Sequence, residues 1–582
     1  MLKYLIHFAI LGAFCIATFS GCRRNDQATS DGNILQVPLS SEISTLDPAR
    51  SYDTISGSVV YQAYEQLYEY HYLKRPYVLI PLLAESMPEV DKSGLRYSIK
   101  IKKNIQYHDD PSFKGVPRFV KAQDFITQIK RLAFIPTHSN GWWLFENKIK
   151  GLDTFVKEAG NDLSKFTSLP IQGLQTPDDH TLIIELREPF PQLMYVLAMS
   201  FVSPIPMESV TFYNNLLDDV MIGTGPFRME KWNKLGNLKM TRFAAYHGSS
   251  YPSQGDRYSN ENKLLQDAGK KLPFLDGINF HIMKESQTRW LNFRAKKIDF
   301  LVIPKDNYDS AIDPSGQLNR DLVNEKIDLE IAPTKTYWWL SFNCNDPVLG
   351  KNLNLRKAIA HAVDIDRYIK VFTNNIGQKA NSIYPPGIPG YNPSSQLPYE
   401  YNIEKAKHFL KLAGYPEGKG LPPITYDVRD NSATNRQQAE FIQGELEKIG
   451  MKVDVMLNTF PGFLNKARTG KLQFWQDGWA MDYPDAENSL QLLISKNHPP
   501  GPNSTYYSNK EFDDLFERVK SMSDGPDKYA LMVRMENIIH RDLPWIMQYY
   551  ARNYILYHHR LKNYRYSDLV SNYMKYLRLS DQ

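Results

Sequence analysis

A chain of 582 residues exceeds what one hydrophobic core usually organises, so at least two folding units are expected. Its 42% hydrophobic and 23% charged content excludes a disordered chain, and a net charge of only +5, with no long Lys/Arg run, argues against nucleic-acid partners. Aromatic residues make up 13%, enough for large cores and for a ligand cleft walled by flat rings.

The N-terminus carries Lys3 as a short positive segment, then an apolar run from Leu5 to Phe19 interrupted by His7, Gly12 and Thr18. That run is shorter than the roughly 20 residues of a membrane span and suits a signal-peptide core. Phe19-Ser20-Gly21-Cys22 then resembles the lipobox of bacterial lipoproteins, in which the cysteine is acylated and becomes the first residue; Phe19 departs from the usual Leu. Residues 23–33 are polar except for Ala28 and read as a flexible tether. Cys15 leaves with the signal and Cys22 carries lipid, so Cys344 remains as a lone, buried structural thiol with no disulfide partner in the folded part. No other apolar run of about 18 residues follows, so the mature chain is expected to be anchored and not to span.

From Ile34 onward strand-like and helix-like segments alternate without low-complexity tracts or short repeats. Arg96–Lys102 and Thr181–Leu186 read as strands in a mixed α+β first half. Leu355, Ile359, Ala362, Ile369 and Phe372 share one helical face, as do Ile403, Ala406, Leu410 and Ala413, a run ending at Gly414. Ile424, Tyr426 and Val428 alternate with Thr425 and Asp427. Ala439, Ile442, Leu446 and Ile449 then recur at helical spacing, Gly450 closes the helix, and Met451, Val453, Val455 and Leu457 alternate again. Strand, helix, strand in so short a span predicts a βαβ unit with parallel strands. Two α/β bodies follow from pattern alone.

The residues offer little to an enzyme. HExxH, CxxC and GxSxG patterns do not occur. Gly414 to Gly420, with Lys419, is one residue short of a phosphate loop, lacks the following Ser/Thr and comes after a helix. Gly223-Thr224-Gly225 runs into Pro226 and reads as a turn. His108-Asp109-Asp110 and His558-His559 lack further ligands at metal-binding spacing. No metal site and no cofactor is expected, although a glycosidase-like carboxylate pair stays open.

Ser44-Thr-Leu-Asp-Pro-Ala49, Tyr64-Glu-Gln-Leu67, Leu83-Ala-Glu-Ser86, Tyr97-Ser-Ile-Lys-Ile101, Tyr107-His-Asp109 and Ala122-Gln-Asp124 with Lys130-Arg131 occur in that order. Gly223-Thr-Gly-Pro-Phe227, Leu272-Pro-Phe-Leu-Asp276, Arg356-Lys-Ala-Ile359 with Ala362-Val-Asp364, Tyr384-Pro-Pro386, Gly390-Tyr391, and Lys405-Ala-Lys407 with Ala413-Gly-Tyr415 follow. Across nearly the whole mature chain this series resembles the family 5 extracellular solute-binding proteins, which include peptide-binding components of ABC importers. The resemblance implies a two-lobe periplasmic-binding-protein fold of the α/β class, mixed α+β in the first lobe, with a hinge and an extra inserted domain. Lobe I would comprise 34–71, 176–335 and 541–582, the extra domain 72–175, and lobe II 336–540.

In Gly478-Trp479-Ala480-Met481-Asp482-Tyr483, the resemblance assigns Asp482 to a peptide's α-ammonium and the Gly478 and Ala480 main chain to ligand backbone, like an added strand. Trp479, Tyr483 and Asn343 complete the implied ligand contacts. A buried ammonium needs a fixed carboxylate, and backbone pairing reads what all peptides share. Asp485-Ala486, Asp364-Ile365-Asp366 and the polar stretch 255–271 depart from the family pattern. The implied role is a monomeric, lipid-anchored binding protein outside the cytoplasm that serves an inner-membrane ABC permease with its ATPase subunits. The same scaffold with a sugar, opine, metal chelate or haem as ligand is the alternative, an anchored periplasmic hydrolase a more distant one.

Overall fold

The computed structural model describes residues 33–499 and 501–580, so the signal segment, most of the tether and Cys22 lie outside the described residues. Strand β1 (Ile34–Leu39) buries Leu35, Val37 and Leu39 on one face, as alternation requires. A hairpin follows, β2 (Tyr68–Tyr70) against β3 (Leu79–Pro81). β4 (Glu89–Val90), β5 (Arg96–Lys100), β6 (Leu174–Asp178) and β7 (Thr181–Glu185) make an antiparallel sheet in the order β4–β5–β7–β6, with the helix Ala122–Ala133 packed on it. After β8 (Phe227–Trp232) and β9 (Asn237–Arg242), the polar stretch is bracketed by the short pair β10 (Ser249–Ser250) and β11 (Lys271–Leu272). β12 (Gly277–Ile282) then completes a sheet ordered β1–β12–β9–β8.

The largest sheet gathers β13 (Phe300–Val302), β14 (Ile327–Phe342), β15 (Gln378–Lys379), β16 (Ile424–Val428), β17 (Val453–Leu457), β18 (Phe474–Ala480) and β19 (Trp545–His558), in the order β13–β19–β14–β18–β16–β17 with β15 on β19. β16 and β17 are parallel, Ile424 opposite Val453, and the helix Ala433–Glu447 between them buries Ala439, Ile442 and Leu446. Gly450, at φ +85°, closes that unit where a Cβ would come within 2.3 Å of the Glu417 carbonyl.

One expected helical face is divided. Leu355, Ile359 and Ala362 lie on Leu353–Ala362, whereas Ile369 and Phe372 lie on Ile365–Thr373. The break is chemical: the Asp364 side chain accepts from the Arg367 amide and starts a new helix.

β14 and β19 pair from Ile327 opposite His558 to Ser341 opposite Trp545, with a slip between Pro333 and Tyr337. Proline donates no ladder bond, so a slip beside it is expected. On one side of the slip Ile327 and Leu556 pack with Trp290 and Phe293. On the other Tyr337, Trp339, Trp545 and Tyr550 pack with Leu490, Phe512 and Met535. These two strands therefore run from one core into another, and the molecule is two mixed α/β lobes. The C-terminal segment, with β20 (Leu561–Lys562) and β21 (Arg578–Leu579), packs through Tyr564, Met574 and Leu577 into the core that holds Leu35, Val37 and Leu39 of β1. Among the described residues no helix is long and apolar enough to cross a membrane.

Candidate ligand-binding cleft

β18 is held on one side by β14 throughout, Thr336 opposite Ala480 and Trp338 opposite Gly478. Just beyond it the Met481 amide donates to the Lys335 carbonyl at 3.2 Å. Antiparallel ladders bond alternate residues, so Trp479 and Asp477 face β14 while the Gly478 and Ala480 main chain faces away. On that other side β16 is registered only with Phe474 and Trp475. The second half of β18 is thus an open edge. The Gly478 amide meanwhile donates to the Asp477 carboxylate at 2.9 Å. Glycine is required there, because a Cβ would sit 2.6 Å from the Trp338 ring.

The turn after β18 returns the chain to Asn488, fully buried, which organises the neighbourhood. Its carbonyl oxygen accepts from Trp479 Nε1 at 2.8 Å and from the Asp482 amide at 3.1 Å, and its Nδ2 donates to Asp482 Oδ2 at 3.1 Å. Tyr52 of the first lobe donates to Asp482 Oδ1 at 2.9 Å. Asp482 keeps part of its surface toward a cavity while protein surrounds the rest. Burial raises its pKa above the ordinary Asp value, and the Asn488 and Tyr52 hydrogen bonds pull it back only in part. Among the described residues it forms no ion pair.

The cavity measures ≈ 670 Å³ and lies between the lobes, with Tyr52, Trp143 and Phe190 on one wall and Trp479, Asp482 and Glu487 on the other. Lys148, Arg468, Lys496 and Lys520 add cationic groups to its lining. Tyr483 donates to Glu487 at 2.7 Å, and burial pushes the Glu487 carboxyl up to about 7. Beside the cavity the lobes touch: Tyr195 stacks on Tyr483 at 5.8 Å, and Gln192 donates to Asp485 at 3.3 Å.

The structure brings Trp479, Asp482 and Tyr483 to the cavity wall and Gly478 and Ala480 to the open edge beside it. Asn343 is elsewhere. It is 8% exposed, donates to the Leu472 carbonyl at 2.9 Å, and clamps the start of β18 instead of its end. A seven-residue strand at about 3.3 Å per residue puts it on the order of 20 Å from the Asp482 turn. Tyr52 and Asn488 join the site from outside the motif. Cys344 is a free thiol whose pKa burial pushes up to about 11, which keeps it protonated and unreactive at neutral pH. Among the described residues no group of three or more His, Cys, Asp or Glu side chains could hold a metal ion.

The model for bacterial extracellular solute-binding proteins, family 5, matches residues 78–500. The glutathione-binding protein GsiB of Shigella flexneri is 26% identical over 522 residues, covering 88% of this chain and 87% of that one. Heme-binding protein A of Haemophilus influenzae is 25% identical, covering 86% and 84%. Among solved structures, the periplasmic binding protein DppA of Helicobacter pylori in complex with the peptide STSA superposes with a TM-score of 0.73 at 25% identity, over 94% of this chain and 98% of that one. The oligopeptide-binding protein AppA of Bacillus subtilis, in complex with a nonapeptide, shares the fold with a TM-score of 0.70 at 18% identity, covering 94% and 99%.

Proposed function

We infer the function from one premise: the chain belongs to family 5 of the bacterial extracellular solute-binding proteins. It is the ligand-capturing component of an ABC importer, and its ligands are peptides enclosed between the two lobes. One observation carries the choice of peptide. A half-open strand edge at Gly478 and Ala480 lies beside a half-buried Asp482 carboxylate that forms no ion pair among the described residues, and a peptide supplies both complements, an extended backbone and an α-ammonium. The peptide complexes of the structural relatives support the same reading. Enclosure would strengthen that charge pair by excluding water.

Export through the segment ending at Gly21, acylation of Cys22 and delivery to a membrane permease with its ATPase subunits complete the proposal. Within it, the lobes exchange the chain where β14 slips, near 334–336, and where β19 passes Ala551. Calorimetry of the soluble chain with short peptides tests the reading. Saturable binding that weakens when the peptide N-terminus is acetylated supports it; binding only to a non-peptide solute replaces it.

A further inference from the structure

A second cavity, ≈ 500 Å³, lies at the slip in β14, apart from the cleft just described. The β2–β3 loop contributes Arg75 and Tyr77, and the polar stretch that departs from the family pattern contributes Asp256 and Tyr258. β14 contributes Lys335, and the second lobe adds Gly387.

The charges there are unevenly matched. Arg565 spends its guanidinium on Asp256, at 2.9 and 2.7 Å. Arg75 does not have such a partner. Its Nη1 reaches only the Tyr72 and Lys74 carbonyls, at 3.2 and 2.8 Å, and its buried Nη2 has no hydrogen-bond partner. Lys335 is 5% exposed and its ammonium donates to the Pro386 carbonyl at 2.8 Å. Among the described residues neither Arg75 nor Lys335 forms an ion pair, although Asp568, which accepts from the Lys335 amide, favours its ammonium and the Arg75 guanidinium lies over the Tyr77 ring at 4.5 Å. Burial weakens both as bases. Glu330 lines the cavity, with its carboxylate oxygens accepting from the Tyr566 amide at 3.0 Å, and burial pushes it up to about 7, so it supplies less than a full negative charge. A buried cationic nitrogen left without a partner is costly unless an anion completes it.

We propose that this cavity is a second ligand site, which takes a small carboxylic acid with a flat apolar body. The carboxylate sits between Arg75 and Lys335, and the body rests on Tyr258 and Ile331, both 44% exposed. Arg75 lies on the β2–β3 loop, whose Tyr77 packs with Tyr251 and Val570, and Pro386 and Gly387 of the second lobe line the same cavity, so the occupant touches both sides of the slip. Its affinity therefore depends on the angle between the lobes, and by reciprocity it strengthens closure of the cleft. Tyrosines span the gap between the sites. Tyr77 meets Tyr70 at 5.6 Å, Tyr70 meets Tyr195 at 6.4 Å, and Tyr195 meets Tyr483 at 5.8 Å. The coupling, unlike the binding, rests on the cleft being the peptide site.

Calorimetry of the soluble chain with benzoate, and separately with inorganic phosphate, tests the proposal. Benzoate should bind at one site, with affinity lowered about tenfold or more by Arg75→Gln. Lys335→Met, which keeps the packed stem, should lower it similarly. Asp482→Ala, which reaches this site only through lobe closure, should lower it less than either. Saturating benzoate should tighten peptide binding, and peptide should tighten benzoate binding by the same factor. Phosphate binding in place of benzoate, no saturable binding, an affinity indifferent to both substitutions, or an absence of coupling would each overturn it. Benzoate binding by a chain that takes no peptide would refute the cleft reading and leave this site standing.

Discussion

Tyr52 donates a 2.9 Å hydrogen bond to the Asp482 carboxylate and so ties the first lobe to the second across the cleft. Tyr52 is 48% exposed, so packing holds it only loosely and the bond carries much of the contact. A hydrogen bond to a charged group contributes about 1.5–3 kcal/mol, and Tyr52→Phe removes little else. The unliganded variant should therefore populate the open state more, with a larger radius of gyration in small-angle scattering than its parent. With saturating ligand the two should match. Equal radii without ligand would remove Tyr52 from the account of closure.

Glu487 offers a test through pH. Its folded-state value is pushed up to about 7 by burial, from 4.5. The folded chain then holds a proton that the unfolded chain has released, so this group's contribution falls as pH rises from about 4.5 to about 7. Glu487→Gln keeps an acceptor for Tyr483 and removes the titration. It should stabilise the empty protein above pH 7, on the order of 3 kcal/mol, and change little near pH 4.5. Thermal unfolding at both pH values checks this; a gain of equal size at both would mean that the charge is not the cause.

Gly478→Ala places a methyl 2.6 Å from the Trp338 ring, on which the Arg429 guanidinium also lies at 5.1 Å. Overpacking of this kind costs about 1–3 kcal/mol, and any relief must move Trp338 or β18 itself. Both stability and ligand affinity should fall, because the displaced strand is the one offered to ligand backbone. Urea unfolding and calorimetry on the same preparation measure the two; loss of stability with affinity intact would detach β18 from ligand pairing.

The βαβ unit was legible because Ile424, Tyr426 and Val428, then Ala439, Ile442 and Leu446, change period cleanly from strand to helix. The division of the next face at Asp364 was legible in principle, since Asp is a strong cap, but hydrophobic spacing runs through it. The cleft was less so. Asp482, Gly478 and Ala480 came from a resemblance to known proteins, not from spacing. Tyr52 is distant in sequence from Asp482, and no local pattern predicts that tertiary contact. Asn488 organises Trp479 and Asp482 through a turn whose polar groups carry no periodic signal. Asn343 follows a strand edge as a ligand residue could, yet the register of β14 with β18 sets it at the wrong end.

Acylation of Cys22 predicts that Cys22→Ser shifts the protein from the membrane pellet to the soluble fraction. A single acyl chain binds membranes only marginally, so stable anchoring implies several chains on one residue. Mass spectrometry of the mature N-terminus would count them. A processed Ser variant that stays in the pellet would refute the lipoprotein assignment.

The Asp482 carboxylate is half-buried, hydrogen-bonded by Asn488 and Tyr52, and in no ion pair among the described residues, so a bound ammonium would complete it. Truncating one partner of a buried charge pair costs about 2–5 kcal/mol, so Asp482→Ala should weaken peptide binding by roughly 30- to several-thousand-fold with the fold intact. Acidification should act in the same direction. The raised pKa means that the free carboxylate begins to protonate at a higher pH than an ordinary Asp, and peptide binding must then expel that proton. Affinity should fall with falling pH in the parent, and this component should be absent in the variant. N-acetylating the peptide removes the other partner, so it should cost the parent heavily and the variant little, because both changes delete one interaction. Calorimetry on the four combinations reads the coupling directly. If the two losses simply add, Asp482 does not hold the amine, and a ligand without a free amino terminus becomes the better reading of the cleft.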